Sequence, residues 1–220
     1  NPLRALAAAL GLAGIAALAG TALLNAVPGM LRELLLAHPR EPQAIIVGQM
    51  GLSALVLLPA ALLLGAVFPL AARVVHRAGE SGGRSIGHVY AVNTAGTVVG
   101  AAGAGLFLLP ALGSIPALDA AAWTHVALGV ALALIAPGRW PARIGIAAAI
   151  ALIATGVRFV TPEPDLYRLN YGVVSLLRDI DHGVGPPPSL KELERRESGP
   201  LRLLSIVEGR AATVAVVSRW

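Results

Sequence analysis

The most conspicuous pattern along the chain is three long apolar tracts that contain no acidic residue, lysine or arginine. They are Ala5–Val27, Ala44–Ala72 and Ser85–Leu118. Each is longer than the roughly 20 residues that an α-helix needs to cross a bilayer core about 30 Å thick. Because backbone N–H and C=O groups must be paired inside lipid, such tracts form helices. The pattern therefore predicts an integral membrane protein.

Helix-breaking residues divide the apolar half of the chain, residues 1–160, into five expected spans. Pro28–Gly29 ends the first, Pro110 and Gly113 separate the third from the fourth, and Pro137–Gly138 ends the fourth. The fifth is the shortest, and it spans a membrane only if Arg143 and Arg158 extend toward the interfaces. The expected helices cover residues 3–27, 44–72, 86–109, 115–136 and 142–160.

Beyond residue 160 the composition becomes polar and rich in proline. Residues 161–200 predict an exit segment, a stiff linker at Pro186–Pro188 and a short helix. Two β-rich runs, Leu201–Val207 and Ala211–Val217, then predict a hairpin within residues 201–220. The expected fold class is an all-α polytopic membrane bundle, followed by a short truncated α/β segment with a β-hairpin. We expect the chain to be a piece of a longer protein.

Composition and charge narrow the function classes. Charged residues make up 13% of the chain, the net charge is +5, and Lys191 is its sole lysine. Basic residues at the ends of apolar tracts suit lipid headgroups, so we expect the lipid bilayer as partner and no nucleic acid. With no cysteine, thiolate metal sites and disulfides are excluded. Asp179, Asp181 and His182 lack a second ligand set, and we expect no metal site.

The arginines predict an orientation in a bacterial cell membrane. With five spans, six arginines fall on one side and three on the other. The positive-inside rule then favours a cytoplasmic loop from Arg73 to Arg84 and a polar tail outside, whereas a chain without the fifth span would have its tail in the cytoplasm, so the side of the tail stays open. The larger group is Arg4, Arg73, Arg77, Arg84, Arg139 and Arg143, and the smaller is Arg32, Arg40 and Arg158.

Six polar residues within the spans are candidate substrate-binding residues. His88, Tyr90, Asn93 and Thr94 lie near the start of the third span, and Asp119 and His125 lie in the fourth. Ionisable groups in lipid are costly and are often functional. Hydrogen bonding between helices is the alternative for the first four. Interfacial solvation of Asp119 and a bond from His125 to another helix are the alternatives for the last two.

Small residues recur at helix-packing intervals in the third span. Gly96, Gly100 and Ala104 are spaced by four, and Gly105 follows Ala101 at the same interval. Such spacing allows the backbones of two helices to approach closely in lipid. We therefore expect this helix at the centre of the bundle.

Several residue runs resemble the membrane region of bacterial spermidine synthase-like proteins. They are Gly65–Leu70 (GAVFPL), Gly87–Gly96 (GHVYAVNTAG) and Leu109–Gly113 (LPALG). Pro162–Gly172 is similar to that family's membrane exit segment, with Pro-Asp in place of its usual Trp-Asp pair. Glu208–Val216 (EGRAATVAV) is similar to the first hairpin of its synthase domain.

The resemblance implies a transporter-like helical bundle fused to a Rossmann-like aminopropyltransferase domain. That domain moves an aminopropyl group from decarboxylated S-adenosylmethionine, the implied co-substrate, to putrescine. We expect the catalytic residues to lie beyond residue 220, so this piece alone is expected to be an inactive membrane anchor with no cofactor of its own. The alternatives are a transporter-type bundle for a small cation or amine, and a purely structural anchor. A tail outside the cell would conflict with a cytoplasmic co-substrate.

Overall fold

The computed structural model describes residues 1–38, 41–76, 82–164, 169, 201–208 and 213–219. These described residues are mainly helical. Seven α-helices are numbered in chain order, and a five-residue π-helical segment, Ala104–Leu108, joins α4 to α5. The helices are α1 (Pro2–Leu24), α2 (Val27–Ala37), α3 (Pro42–Val75), α4 (Gly82–Gly103), α5 (Leu109–Leu112), α6 (Ser114–Ile135) and α7 (Trp140–Val160).

Five helical stretches are long and apolar enough to cross a membrane, which confirms the prediction of about five spans. They are α1, α3, the continuous stretch Gly83–Leu112, α6 and α7. The fifth span, the shortest of the expected ones, is a 21-residue helix with arginine in its last turn. Length and hydropathy are local properties of the chain, which is why the apolar tracts predicted these elements well.

The first and third spans end differently from the prediction. The first helix stops at Leu24, and Pro28 lies in the first turn of α2 instead of acting as a stop. Proline suits a first turn because that position needs no N–H donor. The third span continues through the π-helical segment to Leu112 and ends at Gly113, whose φ of 81° favours glycine.

The described residues belong to two compact units. The first unit comprises Asn1–Ala19 and Leu58–Thr161, and the second comprises Gly20–Leu57 and Pro162–Trp220. The core of the first unit is built by α1, α6 and α7. Its buried side chains form two clusters along these helices, Leu18 with Ala122, Val126, Ile150 and Ala154, and Ala7 with Ala133 and Ala147.

Glycines allow α1 and α6 to pack backbone against backbone. A Cβ added at Gly14 would lie 2.6 Å from the carbonyl oxygen of Ala122. One added at Gly129 would lie 2.7 Å from the backbone nitrogen of Gly11 and 2.9 Å from the carbonyl oxygen of Ala7. Real side chains do not fit at such distances, so this helix pair depends on glycine at both positions.

In the second unit, two further close approaches involve the first half of α3. A Cβ added at Gly20 of α1 would lie 3.1 Å from the carbonyl oxygen of Val56, and Gly48 packs against the side chain of Leu34 on α2. The side chain of Asn25 donates a hydrogen bond of 3.1 Å to the carbonyl oxygen of Glu163.

The expectation that the third span lies at the centre is wrong. Among the five described spans α1 is the most buried, whereas α3 and the stretch Gly83–Leu112 have no buried residues in their apolar windows. A Cβ added at Gly96, Gly100 or Gly105 would meet no atom within 4 Å. The small residues that pack closely are those of α1 and α6, where Gly14 faces the backbone of Ala122 and Gly129 faces that of Gly11.

Two strands lie in the polar tail, β1 (Leu201–Glu208) and β2 (Thr213–Arg219), and they pair antiparallel. Residues 209–212, which would form the turn of the predicted hairpin, lie outside the described residues, so the hairpin remains a prediction. The predicted linker and short helix within residues 170–200 also lie outside them.

Candidate functional site

Asp119 and Arg158 form an ion pair between α6 and α7. Asp119 Oδ2 lies 3.4 Å from Arg158 Nε, and the side chains are 22% and 32% exposed. Asp119 lies six residues into α6, and Arg158 lies two residues before the end of α7. Because the two helices run in opposite directions, the pair lies near one end of both.

The guanidinium of Arg158 is held by the end of its own helix as well. Its Nη1 donates to the carbonyl oxygen of Thr161 at 3.4 Å, and the Thr161 hydroxyl donates to the carbonyl oxygen of Val157 at 2.5 Å. The sequence predicted that Arg158 extends to the interface. The carboxylate of Asp119 also lies beside the guanidinium and offsets its charge, which would be costly if it were isolated within a span.

This pairing changes the chemistry expected of Asp119. A carboxylate that binds a cation or shuttles a proton must be accessible to it, whereas this one faces a permanently charged guanidinium. A cation would have to displace Arg158. The arrangement therefore favours a helix-locking ion pair over a cation site.

Two further polar side chains of α6, those of Thr124 and His125, bond within the helix. The His125 Nδ1–H donates to the carbonyl oxygen of Ala121 at 2.8 Å, and the Thr124 hydroxyl donates to that of Ala120 at 2.8 Å. Bonds of this type satisfy polar side chains without a partner helix. The hydrogen-bond partner of His125 is therefore a carbonyl oxygen one turn earlier in α6, and not a group on another helix as the alternative interpretation expects.

The four candidates near the start of the third span lie on α4 and are exposed in the single chain. Tyr90 is 63% exposed. The Thr94 hydroxyl donates to the carbonyl oxygen of Tyr90 at 2.9 Å. Tyr90, Asn93 and Thr94 share one face of the helix at intervals of three and four residues, whereas His88 lies on another. Three of the four candidates are thus brought together, with Thr94 bonded within its own helix.

At the opposite end of the α1, α6 and α7 core lies an arginine cluster whose contacts the sequence did not reveal. The Arg4 Nη2 group donates a hydrogen bond of 2.8 Å to the carbonyl oxygen of Pro137. Gly138 follows with a φ of 144°, and an added Cβ there would collide with the Arg4 guanidinium. The Nε atoms of Arg4 and Arg143 are buried without a hydrogen-bond partner. The available signal in the sequence is the Pro-Gly pair among arginines, which by itself predicts only a helix end.

The described residues do not form a binding loop for decarboxylated S-adenosylmethionine, the co-substrate that the resemblance implies. A nucleotide-binding glycine loop follows a strand and opens a helix in an α/β unit. Here Gly82–Gly83 begins a membrane-type helix, and Gly96, Gly100 and Gly105 lie within a continuous helical stretch. The described residues therefore offer decarboxylated S-adenosylmethionine no nucleotide-binding loop of this kind. Within the described part of the chain, no group of three or more potential metal-ligating residues occurs.

Comparisons with protein-family models, with curated proteins and with solved structures find no match to this chain.

Proposed function

We propose that this chain is the membrane-anchoring domain of a spermidine synthase-like protein in the bacterial cell membrane. The anchor part of the proposal is supported by five apolar helices, three of which pack into a close core. The link to polyamine biosynthesis is supported by the residue runs that resemble that family. In this proposal, a transferase domain of the full-length gene product uses putrescine and decarboxylated S-adenosylmethionine, and the β1–β2 pair begins that domain as its first hairpin.

The single observation that favours an anchor is the dense contact between α1 and α6. At Gly14 and Gly129 the two backbones approach so closely that not even a methyl group fits between them. A route for a small amine needs a polar, hydrated path between helices, and close-packed backbones leave no room for one there. The pairing of Asp119 with Arg158 supports the same interpretation.

The decisive experiment measures spermidine formation by the full-length gene product. Membranes from expressing cells are incubated with putrescine and decarboxylated S-adenosylmethionine. We expect spermidine in the membrane fraction, with activity that resists washing at high salt and alkaline pH. The matched variants are Gly129→Leu, which blocks the α1–α6 contact, and Gly145→Leu, at which an added Cβ meets no atom within 4 Å.

Gly129→Leu is expected to lower the amount of protein in the membrane, and Gly145→Leu to leave it unchanged. A folded, membrane-bound protein that forms no spermidine would contradict the synthase part and leave the anchor. Activity that washes off the membrane would contradict the anchor.

The transporter alternative is tested separately by uptake of labelled putrescine into proteoliposomes. Under our proposal, the native chain and the Asp119→Asn variant give the same background uptake of putrescine. Uptake by the native chain that disappears in Asp119→Asn would favour the transporter. The absence of both uptake and spermidine would leave a purely structural anchor.

A further inference from the structure

Arg4 and Arg143 lie at the same level on neighbouring helices. Ala7 and Ala147 belong to one buried cluster, so α1 and α7 pack together there. Arg4 precedes Ala7 by three residues and Arg143 precedes Ala147 by four. At a rise of about 1.5 Å per residue, both arginines therefore lie roughly 5 Å beyond this contact, toward the same end of the bundle. Arg139 lies one turn before Arg143, and its carbonyl oxygen accepts a hydrogen bond of 3.3 Å from the Arg143 N–H.

The loop between α6 and α7 is shaped around the Arg4 side chain. The Pro137 carbonyl accepts the hydrogen bond from Arg4 Nη2, and Gly138 provides the space that the guanidinium fills. The φ of 144° at Gly138 is one that L-residues rarely adopt. Arg4 is therefore held in a defined position, unlike a freely moving surface arginine.

Charge at this end of the bundle is uncompensated by the described residues of the first unit. Their one acidic residue is Asp119, which pairs with Arg158 near the other end of α6, roughly 24 Å away along the helix. The Nε–H groups of Arg4 and Arg143 are buried without an acceptor. Burial of a cation without a counter-charge is unfavourable, so an anion in contact with the outer nitrogens would stabilise this arrangement.

Trp140 indicates what kind of anion is available at this level. It follows Arg139 directly, begins α7, and is 71% exposed. Tryptophan is enriched where the apolar core of a bilayer meets the headgroups. Phosphodiesters of lipids are therefore the anions that these arginines meet at the highest local concentration.

We propose that Arg4, Arg139 and Arg143 form a binding site for the phosphate of an anionic phospholipid at this end of the α1–α6–α7 core. Arginine suits this role because its planar guanidinium presents several N–H donors to phosphate oxygens and stays charged. The headgroup would bridge α1 and α7 beside the α6–α7 loop. The site goes beyond membrane anchoring, because it selects a lipid class, and it does not depend on the synthase assignment.

The test is lipid binding to the full chain in detergent, measured by native mass spectrometry. Phosphatidylglycerol and phosphatidylcholine with the same acyl chains are compared for the native chain, the double variant Arg4→Gln/Arg143→Gln and the matched control Arg73→Gln/Arg84→Gln. The control removes the same charge from exposed arginines on the same predicted side of the membrane. We expect phosphatidylglycerol to bind preferentially to the native chain and the control. The Arg4/Arg143 variant should bind it about 30-fold more weakly.

Several outcomes would overturn the site. These are equal binding of both lipids by the native chain, equal losses in the two double variants, or no loss in Arg4→Gln/Arg143→Gln. Displacement of phosphatidylglycerol by inorganic phosphate at millimolar concentration would instead assign the site to free phosphate. If the Arg4/Arg143 variant unfolds, the test uses the thermal unfolding midpoint of the native chain with each lipid added. The proposed site requires phosphatidylglycerol to raise this midpoint more than phosphatidylcholine does, and equal increases would overturn it.

Discussion

Asp119 of α6 lies 3.4 Å from Arg158 of α7, although 39 positions separate them in the chain. Each residue alone would be a costly charge within an apolar helix, and together they form a neutral pair. The pair therefore explains how α6 keeps an acidic residue and how α7 accommodates an arginine inside its last turn. It also fixes the register between the two helices at that end.

The first prediction concerns the removal of either partner of this pair. Asp119→Asn and Arg158→Gln should each lower the free energy of unfolding by about 1–3 kcal/mol. This range lies between the small effect of exposed ion pairs and the larger effect of fully buried ones, because both side chains are partly exposed. Thermal unfolding in detergent provides the measurement.

The double variant Asp119→Asn/Arg158→Gln should lose less than the sum of the two single losses, since it leaves no unpaired charge. Arg84→Gln, at an exposed position, is the matched control and should leave the free energy of unfolding unchanged. Additive losses in the double variant would show that the two residues do not interact.

The second prediction concerns the contact between α1 and α6. Gly129→Ala should destabilise the chain by about 1–3 kcal/mol, because the added methyl would lie against the backbone of Gly11 and Ala7, which cannot move aside as a flexible side chain can. Gly145→Ala is the control, since its Cβ would meet no atom within 4 Å. Unfolding in detergent measures both, and equal stabilities of the two variants would contradict the packing.

The third prediction separates two reasons for glycine at position 138. Gly138→Ala should be destabilising because the φ of 144° is unfavourable for alanine and because the methyl collides with Arg4. In an Arg4→Ala background the collision is absent, and the substitution should cost only the backbone strain, about 1–3 kcal/mol. Thermal unfolding of the native chain, the two single variants and the double variant gives both the cost of the backbone strain and the cost of the collision. An equal cost in the two backgrounds would show that Arg4 does not occupy the space beside Gly138.

The fourth prediction concerns orientation in the membrane. The chain contains no cysteine, so single cysteines introduced at His76 and Pro162 can be labelled without background. These positions lie at the ends of two different spans, α3 and α7. By the positive-inside rule, a membrane-impermeant maleimide added to intact cells should label Cys at position 162 and not at position 76.

The reverse labelling pattern would place the tail in the cytoplasm, where a synthase finds its co-substrate, and would show that the arginine bias does not set the orientation. Labelling of both positions from outside would contradict the count of five spans, since it requires an even number of crossings between them.

The sequence by itself determined the number and approximate extent of the membrane-type helices. Crossing a bilayer requires a minimum apolar length, and that length can be counted along the chain without knowledge of any partner. The expected span 115–136, for example, differs from α6 by one residue at each end. Helix ends were less certain where proline occurs, because Pro28 is compatible with either the end of one helix or the first turn of the next.

Only the tertiary structure decided which helices pack together and which polar groups meet. In a membrane protein both the buried and the lipid-facing sides of a helix are apolar, so periodicity does not mark the packed face. Small residues at packing intervals occur in α4 and in α1, and the sequence favoured α4, whereas Gly11 and Gly14 of α1 make the close contacts. Asp119 with Arg158 and Arg4 with Pro137 are likewise distant in sequence. They meet because α1 and α6 pack through their glycine faces and α7 packs against both through a cluster of small residues. This packing brings the ends of the three helices together.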